Sequence, residues 1–380
     1  MIVPFNKSEI KVSDIRIVEQ ILKSGWLTHG KFTNLLEKEF TKFTSAKYAV
    51  TVSSCTAALH LSCLALGFKK GDEVIVPAMS HTATSHCVEY TGAKAVFADV
   101  DKITGNLNLE NISRKISKRT KGVILVHMSG IPVEIDKIVK MCKRKKIKII
   151  EDCAHAVGTF YMGKHSGNFG DTGCYSFYPT KQITTGEGGV VTTNNKIIYE
   201  KIKKIKAFGI DKDITQRKKQ GEYDVKFLGF NYRMTDFQAA LGYMQLKRYK
   251  KNLIRRKFIA KRYIKNLKDI HNVIFSKYSS NNSYFIFQIL CKKRDQLLNF
   301  FKKNNIGVSV HYKKPLPSMT YYKKKYKIDE IDFKNAKYYA NHNISLPNYP
   351  KMNIRDIDYI CNQIKKFYKT IQTKKMRKNG

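Results

Sequence analysis

Three short segments put reactive side chains directly after apolar, strand-like runs. Ile149 and Ile150 are followed by Glu151 and Asp152, with His155 three residues further on. A carboxylate ending a strand could pair with a ligand cation; the competing reading makes Asp152 a helix N-cap and His155 a satisfied histidine. Cys174 to Tyr178 leads through Pro179 and Thr180 to Lys181, ahead of the glycine-rich turn Thr184 to Gly189. Glycines there allow a tight turn with no side chain in the way of a ligand, although lysine is so frequent in this chain that Lys181 alone reads as a surface residue. Third, Val52-Ser53-Ser54-Cys55-Thr56-Ala57 runs from a strand into a helix. Free N–H groups, hydroxyls and the positive end of a helix dipole suit a phosphate at such a junction. Equally, Ser54 or Thr56 could be an ordinary N-cap.

What must position these groups is a set of βαβ units. From Tyr48 to about Thr193, short β-branched runs alternate with helical stretches, the pattern of an α/β fold with a mainly parallel sheet. Strands are expected at 48–52, 73–77, 94–98, 122–127, 147–151, 174–178 and 189–193, with helices at 56–66 and 134–146 between them. Apolar spacing predicts further helices at 236–249 and 252–267. Beyond them, strands at 284–290 and 307–311 with helices at 294–304 and 354–368 read as a smaller α+β part, and 374–380 as a frayed basic tail. The chain thus divides into a large domain, residues 1–250 with an N-terminal segment, and a small C-terminal domain, residues 251–380. Ligands of open α/β sheets bind outside the carboxyl ends of the strands, which is where all three segments fall. A phosphate cradle, an acid and a lysine at one sheet edge match the needs of pyridoxal 5′-phosphate. The lysine bonds the aldehyde, the acid keeps the pyridine nitrogen protonated, and the helix terminus anchors the phosphate.

Composition removes other classes. Lys+Arg number 71 against 30 Asp+Glu, a formal charge of +41 that points at first to nucleic acid. The excess is mostly lysine, scattered in short runs, whereas a dedicated nucleic-acid surface concentrates arginine. It reads as a solvated surface that attracts small anions, with no nucleic-acid partner. The eight cysteines form no CxxC pair and no zinc-type spacing with histidine, so no metal site is expected. Neither a leader-like N-terminus nor a run of 18 apolar residues is seen, so the reading is a cytoplasmic protein without a membrane partner.

With these residues in view, the chain resembles the DegT/DnrJ/EryC1/StrS family of nucleotide-sugar aminotransferases. The resemblance rests on GWLTHG (residues 25–30), SSCTAALH, GDEVIVP, YTGA, IEDCAHAVG, GDTGCYSFYPTK, TTGEGG, FNYRM (230–234), HYKKPL and SLP, in the family's order. It implies a fold-type I, aspartate-aminotransferase-like structure and a homodimer with shared active sites. By the same analogy Lys181 is the cofactor-bonding lysine and proton shuttle, and Asp152 the partner of the pyridinium nitrogen. His155 would lie near the cofactor's 3-hydroxyl; Thr56, Ala57 and Ser176 would hold its phosphate, and Asn231 would reach the phosphate in the neighbouring subunit. Tyr178 and His311 are substrate-side candidates. Two positions depart from the family pattern: His81 stands where many relatives stack Phe or Trp on the cofactor, and Cys55 replaces a glycine. The resemblance implies glutamate as amino donor. ITTGEGG is similar to the turn of perosamine-synthase-like 4-keto-sugar enzymes, giving a 4-amino-4,6-dideoxy sugar for surface polysaccharide. A 3-keto-sugar aminotransferase and a non-catalytic regulatory homologue that binds the cofactor are the alternatives.

Overall fold

The computed structural model describes residues 1–211, 219, 221–328 and 330–379. The first strands are β1 (Tyr48–Val52), β2 (Glu73–Pro77), β3 (Lys94–Ala98), β4 (Thr120–Val126) and β5 (Lys148–Asp152). A short hairpin follows, β6 (Phe160–Tyr161) and β7 (Lys164–His165), then β8 (Thr172–Ser176) and β9 (Gly189–Thr193). Seven of these make one sheet in the order β1-β9-β8-β5-β4-β2-β3. Only β9 runs antiparallel to its neighbours. The strands are apolar almost throughout because both faces are covered. Side chains alternate across the sheet, so Ala49 and Tyr175 enter one core while Val50 and Cys174 enter the other.

Four helices early in the chain are α1 (Val12–Ser24), α2 (Lys31–Thr44), α3 (Cys55–Ala65) and α4 (Ala83–Glu89). The first two, unforeseen in the sequence, pack against a single helix that spans Asp236–Leu267 where two were expected. Its buried stripe passes from Ala239, Leu246 and Leu253 in one core to Ile259, Tyr263 and Leu267 in another without interruption. Lys250 and Lys251, between the two expected helices, are exposed on its outer side. Asp236 accepts hydrogen bonds from the Phe32 and Thr33 N–H groups at 2.9 and 3.0 Å, capping α2. A Cβ at Gly30 would collide with that carboxylate, which accounts for the glycine ending GWLTHG.

A third core lies around a three-stranded antiparallel sheet of β10 (Val273–Ile274), β11 (Phe287–Cys291) and β12 (Asn343–Leu346). Val3 joins this core although it begins the chain. The strand expected at 307–311 is reduced to one bridge, Ser309 to Ser345. The last helix, Ile354–Asn379, runs on through most of the tail read as frayed, and Gly380 lies outside the described residues. No helix among the described residues is long and apolar enough to cross a membrane.

Strand register assembles the site. Asp152, last in β5, lies opposite Val126 in β4 and Cys174 in β8. Gly189 lies opposite both Val52 and Ser176, which draws the β1–α3 junction to the end of β8. A Cβ at Gly189 would come within 2.6 Å of the Tyr175 carbonyl oxygen and 2.9 Å of the Cys55 nitrogen, so only glycine permits this approach.

Candidate active site

A cavity of about 420 Å³ opens at this sheet edge. Of the residues singled out in the sequence, Thr56, His81, Asp152, His155, Ser176, Tyr178, Lys181 and His311 line it. Two do not. Asn231 is exposed elsewhere, its Oδ1 accepting from Arg233 Nε at 3.0 Å. The other is Ala57, whose N–H donates to the Ser54 hydroxyl at 3.0 Å, the helix cap. The N–H groups of Cys55 and Thr56 remain at the open end of α3, beside the Ser54, Thr56 and Ser176 side chains. Both readings of the junction thus hold at once, a capped helix and an anion-suited terminus.

Asp152, also in the cavity lining, is buried and caps no helix. Its Oδ1 accepts from the Ala154 N–H at 3.1 Å and its Oδ2 from the Thr84 hydroxyl at 2.8 Å. Burial raises its pKa, opposed by Thr84, the Ala154 N–H and Lys181. A cation facing this carboxylate would restore its charged form.

Lys181 Nζ lies 4.6 Å from the centroid of the Phe285 ring. Burial brings its pKa down to about 8, against the opposing influence of Cys55 and Asp152. A neutral amine is therefore within reach near neutral pH, as proton abstraction requires. His155 stacks on the same phenyl ring at 4.5 Å, and the Ser129 N–H donates to its Nδ1 at 3.3 Å. Burial and the nearby Lys181 hold His155 neutral, far below the ordinary histidine pKa. His311 lies within hydrogen-bonding distance of Ser345 Oγ through Nδ1, 2.8 Å away, and burial lowers it to about 3. His81 accepts from the Ala83 N–H at 3.2 Å and tilts against Tyr312, a cavity residue that the sequence did not disclose.

The donor set suits a phosphorylated pyridine: an open helix terminus with hydroxyls, a buried carboxylate opposite, and a lysine facing the space between. The decisive observation is sequence-wide, since the profile of the DegT/DnrJ/EryC1/StrS aminotransferase family matches residues 8–365. The chain belongs to this family. The aminotransferase is 34% identical over 371 residues to the GDP-perosamine synthase of Escherichia coli O157:H7, covering 96% of this chain and 98% of that protein. It is 35% identical over 378 residues to the spore coat polysaccharide biosynthesis protein SpsC of Bacillus subtilis, covering 96% and 97% respectively. A sugar aminotransferase of Streptococcus pneumoniae in its PMP form superposes with TM-score 0.92 at 30% identity, over 99% of this chain and 100% of that one. The PLP form of the same protein gives TM-score 0.91 at 29% identity, over 98% and 100%. The cofactor of this sugar aminotransferase is pyridoxal 5′-phosphate.

Sequence reasoning missed Thr84, Gln182, Phe285 and Tyr312. Thr84 sits one residue after Ala83 on a helix too short for periodicity to reveal. Phe285 belongs to an apolar run, Tyr284 to Leu290, whose composition says only that it is buried.

Proposed function

We propose that the enzyme transfers the amino group of glutamate to the C4 carbonyl of a nucleotide-linked 4-keto-6-deoxy sugar, yielding a 4-amino-4,6-dideoxy sugar for surface polysaccharide. Glutamate leaves as 2-oxoglutarate, so its α-carbon gives up an amine and a hydrogen and takes the oxygen that the sugar carbon loses. The observation that carries the reading is the single cavity in which Asp152, Lys181 and the α3 terminus face one another. The likeness to a GDP-perosamine synthase supports the sugar assignment.

When bound, the cofactor supplies an aldehyde and an electron-accepting ring that stabilises negative charge on the carbon losing its proton. Lys181 takes the proton from the α-carbon of the amino acid and delivers one to the sugar C4 in the return half. Asp152 holds the pyridine N–H. The Thr56 and Ser176 hydroxyls, with the N–H groups of the α3 terminus at Cys55, Thr56 and Ala57, would hold the phosphate. His81 would stack on the ring, His155 would sit beside the 3-hydroxyl, and Tyr178 and His311 would meet the substrate.

The working unit is a homodimer. Asn231 lies outside its own cavity and reaches the phosphate site of a second subunit. Around it, Phe208, Val225 and Leu228 are exposed, Leu228 at 84%, and Val225 forms an isolated bridge to Ile210. Apolar side chains so gathered favour cover by another surface.

A panel of UDP-, GDP- and dTDP-linked 4-keto and 3-keto sugars with ¹⁵N-glutamate tests the proposal. Nitrogen at C4 of a 6-deoxy product is expected. Nitrogen at C3, or none with any 4-keto sugar, overturns it.

A further inference from the structure

Phe285 comes from the smaller part of the chain, 104 residues after Lys181 (285 − 181), yet its ring is built into the cavity wall. It is 2% exposed, and its ring face serves two partners, His155 stacked at 4.5 Å with a 22° interplanar angle and Lys181 Nζ at 4.6 Å. The backbone that carries it is tied down. The Ser283 N–H donates to the Gly130 carbonyl at 3.0 Å, and the Arg256 guanidinium donates to the Phe285 carbonyl at 3.0 Å. Gln182, next to Lys181, donates to the His155 carbonyl at 2.9 Å and to Ser283 Oγ at 3.1 Å. Lysine, histidine and phenyl ring therefore belong to one connected frame.

We propose that Phe285 is a positioning residue: its ring face receives the Lys181 ammonium whenever that lysine is not bonded to the cofactor, and keeps it aimed at the reacting carbon. The inference rests on the catalytic reading of Lys181. A four-carbon stem is otherwise free to wander among many rotamers, and an ammonium within about 6 Å of an aromatic centroid is attracted to the ring quadrupole. The ring favours the protonated amine, against the burial that lowers it. The groups that act on Lys181 electrostatically are Asp152 from β5, Cys55 from α3, His81 ahead of α4, His155 and His311, and Glu187, Tyr178 and Tyr312 line the same cavity.

The test reads the lysine and not turnover. In cofactor-free full-length protein, the pH dependence of competitive acetylation at Lys181, followed by peptide mass spectrometry, gives the midpoint of its deprotonation. Phe285→Leu should lower that midpoint by about one pH unit, whereas Phe285→Tyr, which keeps the ring face, should leave it near wild type. Thermal melts establish that both variants fold. Identical midpoints in wild type and Phe285→Leu overturn the proposal, as does an equal fall in both variants, which would trace the effect to packing. Should Lys181→Ala retain turnover, the catalytic reading fails while the labelling result still reports on the ring.

Discussion

Thr84 donates its hydroxyl to Asp152 Oδ2 at 2.8 Å, and because that uses its only proton, Ser80 donates to Thr84 across 2.7 Å. All three side chains are buried, so the carboxylate is held by a short relay shielded from water. Thr84→Val keeps the shape and removes the donor. Hydrogen bonds to charged groups contribute about 1.5–3 kcal/mol, so kcat should fall roughly 10- to 100-fold and cofactor dissociation should rise. Thr84→Ser should recover most of both. Unchanged kinetics and cofactor affinity in Thr84→Val would remove Thr84 from the account.

Gly189 sets how closely the β1–α3 junction approaches the end of β8. In Gly189→Ala the new methyl would meet the Tyr175 carbonyl oxygen, the Ser54 carbonyl carbon and the Cys55 nitrogen at 2.6, 2.8 and 2.9 Å. All are backbone atoms and none can rotate away. Overpacking of this kind costs about 1–3 kcal/mol. The variant should melt several degrees lower and bind cofactor more weakly; a wild-type melt and wild-type affinity would contradict the steric argument.

Behind Asp152, the buried Glu151 accepts from His127 Nε2 at 3.0 Å and from the Gly167, Phe169 and Gly170 N–H groups at 2.7 Å each. Burial alone would raise its pKa, but His127 and the Gly167 and Gly170 N–H groups more than offset this and hold it below the usual carboxylate range. With the folded pKa depressed, the stabilisation is present above the unfolded value of about 4.3 and is lost as pH falls through the folded one. Glu151→Gln should therefore lower the melting temperature markedly at pH 7, and the gap to wild type should narrow below pH 4. An equal gap at both pH values would show that the charge is not what stabilises.

Much of this was legible in the sequence, and the exceptions have physical causes. β2, β3 and β9 fall at the expected residues because a buried strand reads as an uninterrupted apolar run bounded by polar turns. Lys181 and Asp152 were found by their place after such runs. Periodicity within a segment could not show that Phe285 meets His155 and Lys181, since that contact depends on how distant elements pack. The Ser54 cap and the open N–H groups beside it share one short junction, so the sequence pattern offered both readings and the structure holds a cap at Ala57. The long helix was expected as two, 236–249 and 252–267; Lys250 and Lys251 between them lie exposed on its outer face and do not end it.

The proposed homodimer with shared active sites predicts complementation. Lys181→Ala and Asn231→Ala subunits, each inactive alone, should regain about a quarter of wild-type activity after unfolding and refolding as an equal mixture, because half the dimers are mixed and each carries one intact site. No recovery in a mixture shown to form heterodimers would separate Asn231 from the partner's cofactor.

The central assignment is Lys181 as the residue that bonds the cofactor. Borohydride reduction of the protein loaded with pyridoxal 5′-phosphate, followed by proteolysis and mass spectrometry, locates that bond directly. The phosphopyridoxyl mass should appear on the peptide containing Lys181 and vanish in Lys181→Ala. An adduct confined to another lysine, or none in protein that binds the cofactor, would contradict the assignment.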